Sequence, residues 1–153
     1  MTDQDQLIPE LAAFAPIIGR TFRGELGPDG IDVSRWERAL NGRAVRNLHS
    51  VNDGEYGGES IVYYDRKEQA VLSFYFTTAG FYTVARFRFE PGRIISREEV
   101  TGNQHGITVV EGTTEFLPDG GLRTGSRYLK DGEWVPGHAG VYREAPGAEL
   151  KFR

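Results

Sequence analysis

The chain has 153 residues, 20 glycines, no cysteine and a formal net charge of −4, with acids and bases interspersed. This balance excludes a disulfide framework and thiolate chemistry, and it leaves no basic stripe for nucleic acid. The length suits one domain with one core, read as residues 1–153 without an internal linker.

The N-terminal segment, residues 1–18, opens on the acidic MTDQDQ, where a secretory signal would be basic. The apolar stretch after it is broken by Pro9 and Pro16, so neither a signal peptide nor a membrane span is expected. With the missing cysteines this points to the cytoplasm. LIPELAAFA, residues 7–15, predicts one short helix, started by Pro9, stopped before Pro16 and capping the fold through Leu7, Leu11 and Phe14.

Beyond Gly19, turn chemistry recurs every 8–12 residues: GPDG, NG, NDG, RKE, AG, EPG, GNQHG, LPDGG and KDG. The runs between are rich in Val, Ile, Tyr, Phe and Thr, the pattern of successive antiparallel strands. They lie at roughly 19–26, 32–40, 43–51, 58–64, 69–77, 81–90, 93–101, 106–117, 121–130 and 133–143. The expected fold class is all-β: a single closed, antiparallel, up-and-down barrel of about ten strands over 19–143, followed by a C-terminal tail at 144–153. Closure removes the exposed edges that such a meander would otherwise leave.

Turn length fixes which side chains share a face. The Asn41-Gly42 turn pairs Arg38 with Val45, Trp36 with Asn47 and Ser34 with His49, and sets Glu37 against Arg46 outside. The PDG loop at 118–120 pairs Glu115 with Arg123 and Glu111 with Arg127 outside, leaving Val110, Thr114, Phe116, Leu122, Thr124, Ser126 and Tyr128 inside. A two-residue turn at Ala79-Gly80 and the Pro91-Gly92 turn put Leu72, Phe74, Phe76, Thr83, Ala85, Phe87, Phe89, Ile94 and Glu98 inside. Arg86, Arg88, Arg97 and Glu99 then face out. Tyr63, and Glu59 near a rim, are also read as inward.

The expected interior therefore joins a greasy wall to a polar set, which a dry core would avoid. The candidate ligand-binding residues are Trp36, Arg38, Asn47, His49, Tyr63, Phe74, Phe76, Phe87, Glu98, Ser126 and Tyr128. Arg38 has the fork geometry to grip a carboxylate or phosphate, or else neutralises Glu98 or Glu59. If the lumen is catalytic, His49 or Glu98 is the general base, and Tyr63, Tyr128 or Arg38 steadies negative charge. No metal site is expected, since His49 has no ligand partner at suitable spacing and His105 sits in a loop. GYGGES lacks the lysine and helix of a phosphate loop, and no nucleophile elbow frames a serine.

The short helix, the strand IGRTFRGEL and the unbroken strand run ending in VYRE resemble the calycin superfamily, in particular bacterial lipocalin-like and nitrobindin-like barrels. The usual lipocalin Gly-x-Trp is replaced here by Gly19-Arg20-Thr21-Phe22. The resemblance implies a barrel that holds a small hydrophobic or amphipathic molecule, anionic if Arg38 meets it. An isomerase, cyclase or lyase in the same lumen is the alternative. No cofactor is expected. The nitrobindin-like members bind haem through a histidine on a late strand, and His138 falls where that echo would lie. The KDG register faces it outward unless a bulge at Pro136-Gly137 turns it in. Neither nucleic acid nor membrane is an expected partner, and self-association into a homo-oligomer is left open.

Overall fold

Ten antiparallel strands close on themselves in the computed structural model, which describes residues 6–28 and 30–153. The strands are β1 (Thr21–Glu25), β2 (Ile31–Ala39), β3 (Ala44–Val51), β4 (Tyr56–Asp65), β5 (Ala70–Thr77), β6 (Tyr82–Glu90), β7 (Arg93–Thr101), β8 (Ile107–Phe116), β9 (Leu122–Lys130) and β10 (Glu133–Glu144). Each pairs with its sequence neighbours, and β1 pairs with β10 to complete the ring. The expected fold class is therefore the observed one. Residues 1–5 of the acidic N-terminus and Asp29 of GPDG lie outside the described residues. Among those described, no helix is long and apolar enough to cross a membrane.

One end of the barrel is plugged. The N-terminal helix, Pro9–Ile17, is a 3-10 helix and runs through Pro16 rather than stopping before it. With three residues per turn, Leu11, Phe14 and Ile17 stack in a single row, and all three are buried. Phe14 packs at 6.0 Å from the Trp36 ring and edge-on, at 5.8 Å, to both Phe87 and Phe89. Phe22, Val45, Val62, Val71, Ile94, Leu122 and Tyr142 complete this cluster. Ile17 takes part beside the expected Leu11 and Phe14, while Leu7 packs at its margin.

Most of the expected register holds. Trp36 opposes Asn47, Ser34 opposes His49 and Arg38 opposes Val45. Ala85 opposes Glu98, and the Glu111–Arg127 and Glu115–Arg123 pairs form on the outside. β5 departs from it. Phe76 pairs with Tyr82 and Leu72 with Arg86, so Leu72, Phe74 and Phe76 face outward, with Phe74 39% and Phe76 58% exposed.

The cause is the loop between β5 and β6. A two-residue Ala79-Gly80 turn would set Phe76 against Thr83, but the chain uses five residues, 77–81. Thr77 holds that loop by donating its hydroxyl to the Phe81 carbonyl, and the Gly57 carbonyl accepts the Thr78 N–H. One change in parity turns every side chain of the strand over. Val71, Ser73 and Tyr75 point inward instead. On β4 the same correction applies to Tyr63, which is 41% exposed opposite Leu72, and to Glu59, whose carboxylate bonds Arg46 outside at 2.6 Å.

A second departure lies in β10. Its register slips between Pro136, opposite Arg127, and Ala139, opposite Gly125. Proline has no N–H for the ladder, which favours a bulge at this point. Beyond the bulge Tyr142 points inward and is buried, whereas Val141 is 38% exposed.

Candidate functional site

The end opposite the plug is open and leads into a lumen with two adjoining compartments. The deeper, of about 260 Å³, is lined by Ser34, Trp36, Asn47, Ser60, Thr114 and Leu122, among others. The larger, of about 580 Å³, lies nearer the mouth and carries the apolar wall: Leu26, Val51, Phe81, Val100, Ile107 and Val110. Asp32, His49, Tyr75, Glu98, Thr124 and Tyr142 line both, at the boundary between them.

Five of the boundary and mouth side chains form one hydrogen-bonded chain. The Tyr142 hydroxyl donates to Asp32 Oδ2 at 2.6 Å, and Asp32 Oδ1 lies 2.9 Å from His49 Nδ1. His49 Nε2 lies 2.5 Å from the Tyr75 hydroxyl, which in turn lies 2.8 Å from the hydroxyl of Tyr56. Asp32 is only 5% exposed, so its carboxylate depends on these donors in place of water. An ionised carboxylate only accepts, which assigns the Nδ1 proton to His49 and directs it at Asp32.

Glycines on neighbouring strands make room for these rings. A Cβ on Gly24 would stand 2.8 Å from the Tyr142 ring, and one on Gly58 would stand 2.5 Å from Tyr75 Cε1. Both distances are inside van der Waals contact, so each ring occupies the space that a Cβ would fill. A Cβ on Gly58 would also meet the Phe76 carbonyl oxygen, so Gly58→Ala should displace both Tyr75 and the β5 backbone and cost about 1–3 kcal/mol of stability, the usual range for overpacking. Thermal melting of the variant checks it.

Glu98 stands apart from this chain. Its Oε1 accepts from the Thr83 hydroxyl at 2.9 Å. Burial pushes the Glu98 carboxyl up, and the Thr83 bond only partly opposes that. Burial likewise raises Tyr56 to about 12 and pushes Tyr75, Tyr128 and Tyr142 upward; Glu98 adds to the rise at Tyr56, Tyr75 and Tyr128. The hydroxyls therefore stay protonated at neutral pH.

The raised carboxyl has a consequence for stability. The folded chain holds the Glu98 proton more tightly than the unfolded chain does. Its contribution is complete below the ordinary value of 4.5 and is lost as pH rises through the higher folded value. The stability difference between E98Q and wild type should accordingly move in favour of E98Q as pH rises through that window. Melting temperatures of both proteins across pH 4–8 (roughly) check the sign.

Of the side chains expected to line a site, the structure brings together Trp36, Asn47, His49, Glu98, Ser126 and Tyr128. Asn47 donates Nδ2–H to Ser34 Oγ at 2.8 Å and to the Arg35 carbonyl at 3.2 Å. Tyr63, Phe74 and Phe76 stand on the outer wall. Phe87 faces inward but packs against the plug. Arg38 also sits at the plugged end, where Nε–H donates to the Gln6 carbonyl at 2.9 Å, and it lines neither compartment. The carboxylates considered for it bond elsewhere, Glu59 to Arg46 and Glu98 to Thr83.

The bulge turns His138 to the mouth of the larger compartment. Its ring lies 5.9 Å from that of Tyr128, and its carbonyl accepts from Ser126 Oγ at 3.0 Å. Among the described residues no group of three or more His, Cys, Asp or Glu is placed to hold a metal ion.

Asp32, Tyr56, Tyr75 and Tyr142 were not among the expected site residues. Asp32 was within reach, because it continues the Ser34–Trp36 alternation by two residues. Tyr75 and Tyr142 depend on a loop length and a bulge. No protein-family model matches the chain, and no curated protein matches it.

Proposed function

We propose that the protein is a lipocalin-like barrel that binds a small amphipathic molecule in its lumen. The polar group of the ligand enters the boundary region around Asp32, His49, Tyr75 and Glu98. Its apolar body lies against Val51, Phe81, Val100, Ile107 and Val110. The observation that carries this reading is the two-compartment lumen itself, plugged by Leu11, Phe14 and Ile17 at one end and open at the other. Its larger part is within the volume range of small-molecule sites, with few polar groups set in an apolar wall.

The lining also selects the head group. Among the described residues it contains two carboxyls, Asp32 and Glu98, and neither a lysine nor an arginine. An anion brought beside these two carboxyls would lose hydration with no lysine or arginine to offset the loss, at a cost of several kcal/mol. The anionic head group expected at Arg38 gives way to a neutral one that donates and accepts hydrogen bonds.

Displacement of a neutral solvatochromic dye tests this. 2-Decanone or 1-decanol should displace it at concentrations at least about tenfold below those needed for decanoate, a difference of about 1.4 kcal/mol. Tighter binding of decanoate would contradict the assignment.

A further inference from the structure

Among the lumen groups, two stand out as proton carriers that border one space. His49 is on β3; it borders the larger compartment and is also linked to it through two hydroxyls, Tyr75 on β5 and Tyr56 on β4. Glu98 is on β7 and borders the same compartment. We propose that the lumen catalyses proton transfer on a small neutral carbonyl compound, with Glu98 as the base at carbon and the Tyr56–Tyr75–His49 chain serving the carbonyl oxygen. The inference rests on the lumen-binding reading.

Hydrogen-bond arithmetic supports the relay. His49 commits Nδ1–H to Asp32, and Tyr142 commits its hydroxyl proton to the same carboxylate. Only Nε2 is left to decide the direction of the rest. When Nε2 carries a proton it donates to Tyr75, Tyr75 donates to Tyr56, and Tyr56 presents its proton to the lumen. When Nε2 is bare, Tyr75 donates to it and Tyr56 donates to Tyr75, so the lumen meets an acceptor. One proton on His49 reverses the polarity of the chain. Each tyrosine holds one proton in both states, which agrees with burial keeping both hydroxyls from ionising.

The reaction this supports balances without an oxidant or cofactor. Glu98 carboxylate takes a hydrogen from the carbon next to the carbonyl. The C–H pair becomes a C=C bond and the C=O π pair moves onto oxygen. That oxygen takes the Tyr56 proton, Tyr56 takes the Tyr75 proton, and Tyr75 takes the proton on His49 Nε2. In the reverse half the enol proton returns along the chain and the C=O bond re-forms. The C=C pair then takes the proton from Glu98, either at the carbon it left or, in a β,γ-unsaturated ketone, two carbons further on. The first outcome is hydrogen exchange and the second is isomerisation. Tyr56 and Glu98 touch the substrate; His49, Tyr75 and Asp32 act through Tyr56.

Phenylacetone in D2O is the probe, with loss of its methylene hydrogens followed by proton NMR and its binding by tryptophan fluorescence. Wild-type protein should accelerate exchange over buffer. E98Q should lose about 100-fold or more of that acceleration, the low end of general-base effects. Y75F keeps the ring and removes the hydroxyl, and should lose about tenfold or more. Because His49 and Tyr75 act in series, Y75F/H49Q should fall no further than the worse single variant. If H49Q does not fold, Y75F and Y56F carry the comparison, and melting curves establish that they are folded. Phenylacetone bound by wild type with exchange no faster than buffer overturns the proposal and leaves the binding reading standing. Full exchange in E98Q, or in Y75F and Y56F, also overturns it. Absence of phenylacetone binding to wild type counts against both readings.

Discussion

Replacing Phe14 by alanine should lower the unfolding free energy by about 3–5 kcal/mol, the usual cost of emptying a buried phenylalanine site. Phe14 is 1% exposed and meets Trp36, Phe87 and Phe89 at once, so no single neighbour can collapse into the space. The plug reaches the barrel from outside the ladder. Its loss should therefore open the closed end to water as well as destabilise the fold. Urea unfolding of F14A, read by far-UV circular dichroism, measures the first effect. Faster amide exchange at Val45 and Val62, both buried beneath the plug, reports the second.

Asp32→Asn is expected to cost about 3–5 kcal/mol. Each of the two hydrogen bonds to a charged acceptor contributes about 1.5–3 kcal/mol, and breaking a buried network strands its other members. An asparagine side chain offers one acceptor oxygen where Asp32 offers two. Its amide would face either the Tyr142 hydroxyl or His49 Nδ1, so one of the two bonds must break or reverse its direction. Ser34→Ala, on the same face two residues away, removes only a neutral hydrogen bond with Asn47 and should cost about 1 kcal/mol. Chemical denaturation of the two variants side by side separates the charged network from ordinary polar packing.

The sequence and the structure agree where a turn has one plausible length. The NG, PG, PDG and KDG turns set β2 against β3, β6 against β7, β8 against β9 and the start of β10 against β9, and opposite-charge pairs on the outer wall check the NG and PDG turns. They disagree at β5, where QAVLSFYFTTAG offers two faces. Leu72, Phe74 and Phe76 look like the core face by hydrophobicity, against Val71, Ser73 and Tyr75. Hydrophobicity misleads there because this lumen is polar in its middle, so the less apolar alternation belongs inside. Tyr142 was hidden for a different reason. Its orientation is set by a one-residue bulge at Pro136, and the proline shows where a ladder can break without showing that it does.

The same contrast runs through the site. Trp36, Asn47, His49 and Glu98 follow from alternation along regular strands and were legible. The hydroxyls that turn His49 into part of a chain come from the loop-dependent and bulge-dependent strands. Arg38 shares a face with Trp36, as the alternation requires, yet depth along the barrel decides its role. It lies at the plug, and alternation carries no information about depth.

The central claim is that the lumen, rather than the aromatic outer wall of Tyr63, Phe74, Phe76 and Tyr82, takes the ligand. The chain has two tryptophans, and Trp36 lines the deep compartment while Trp134 lies outside beneath Arg127, at 4.1 Å. In a W134F variant all tryptophan emission comes from Trp36. Titration with 2-decanone should shift that emission saturably with one ligand per chain, and decanoate should require at least about ten times the concentration. Binding of 2-decanone that leaves Trp36 emission unchanged, while F74A or F76A abolishes it, would place the ligand on the outer wall and contradict the account.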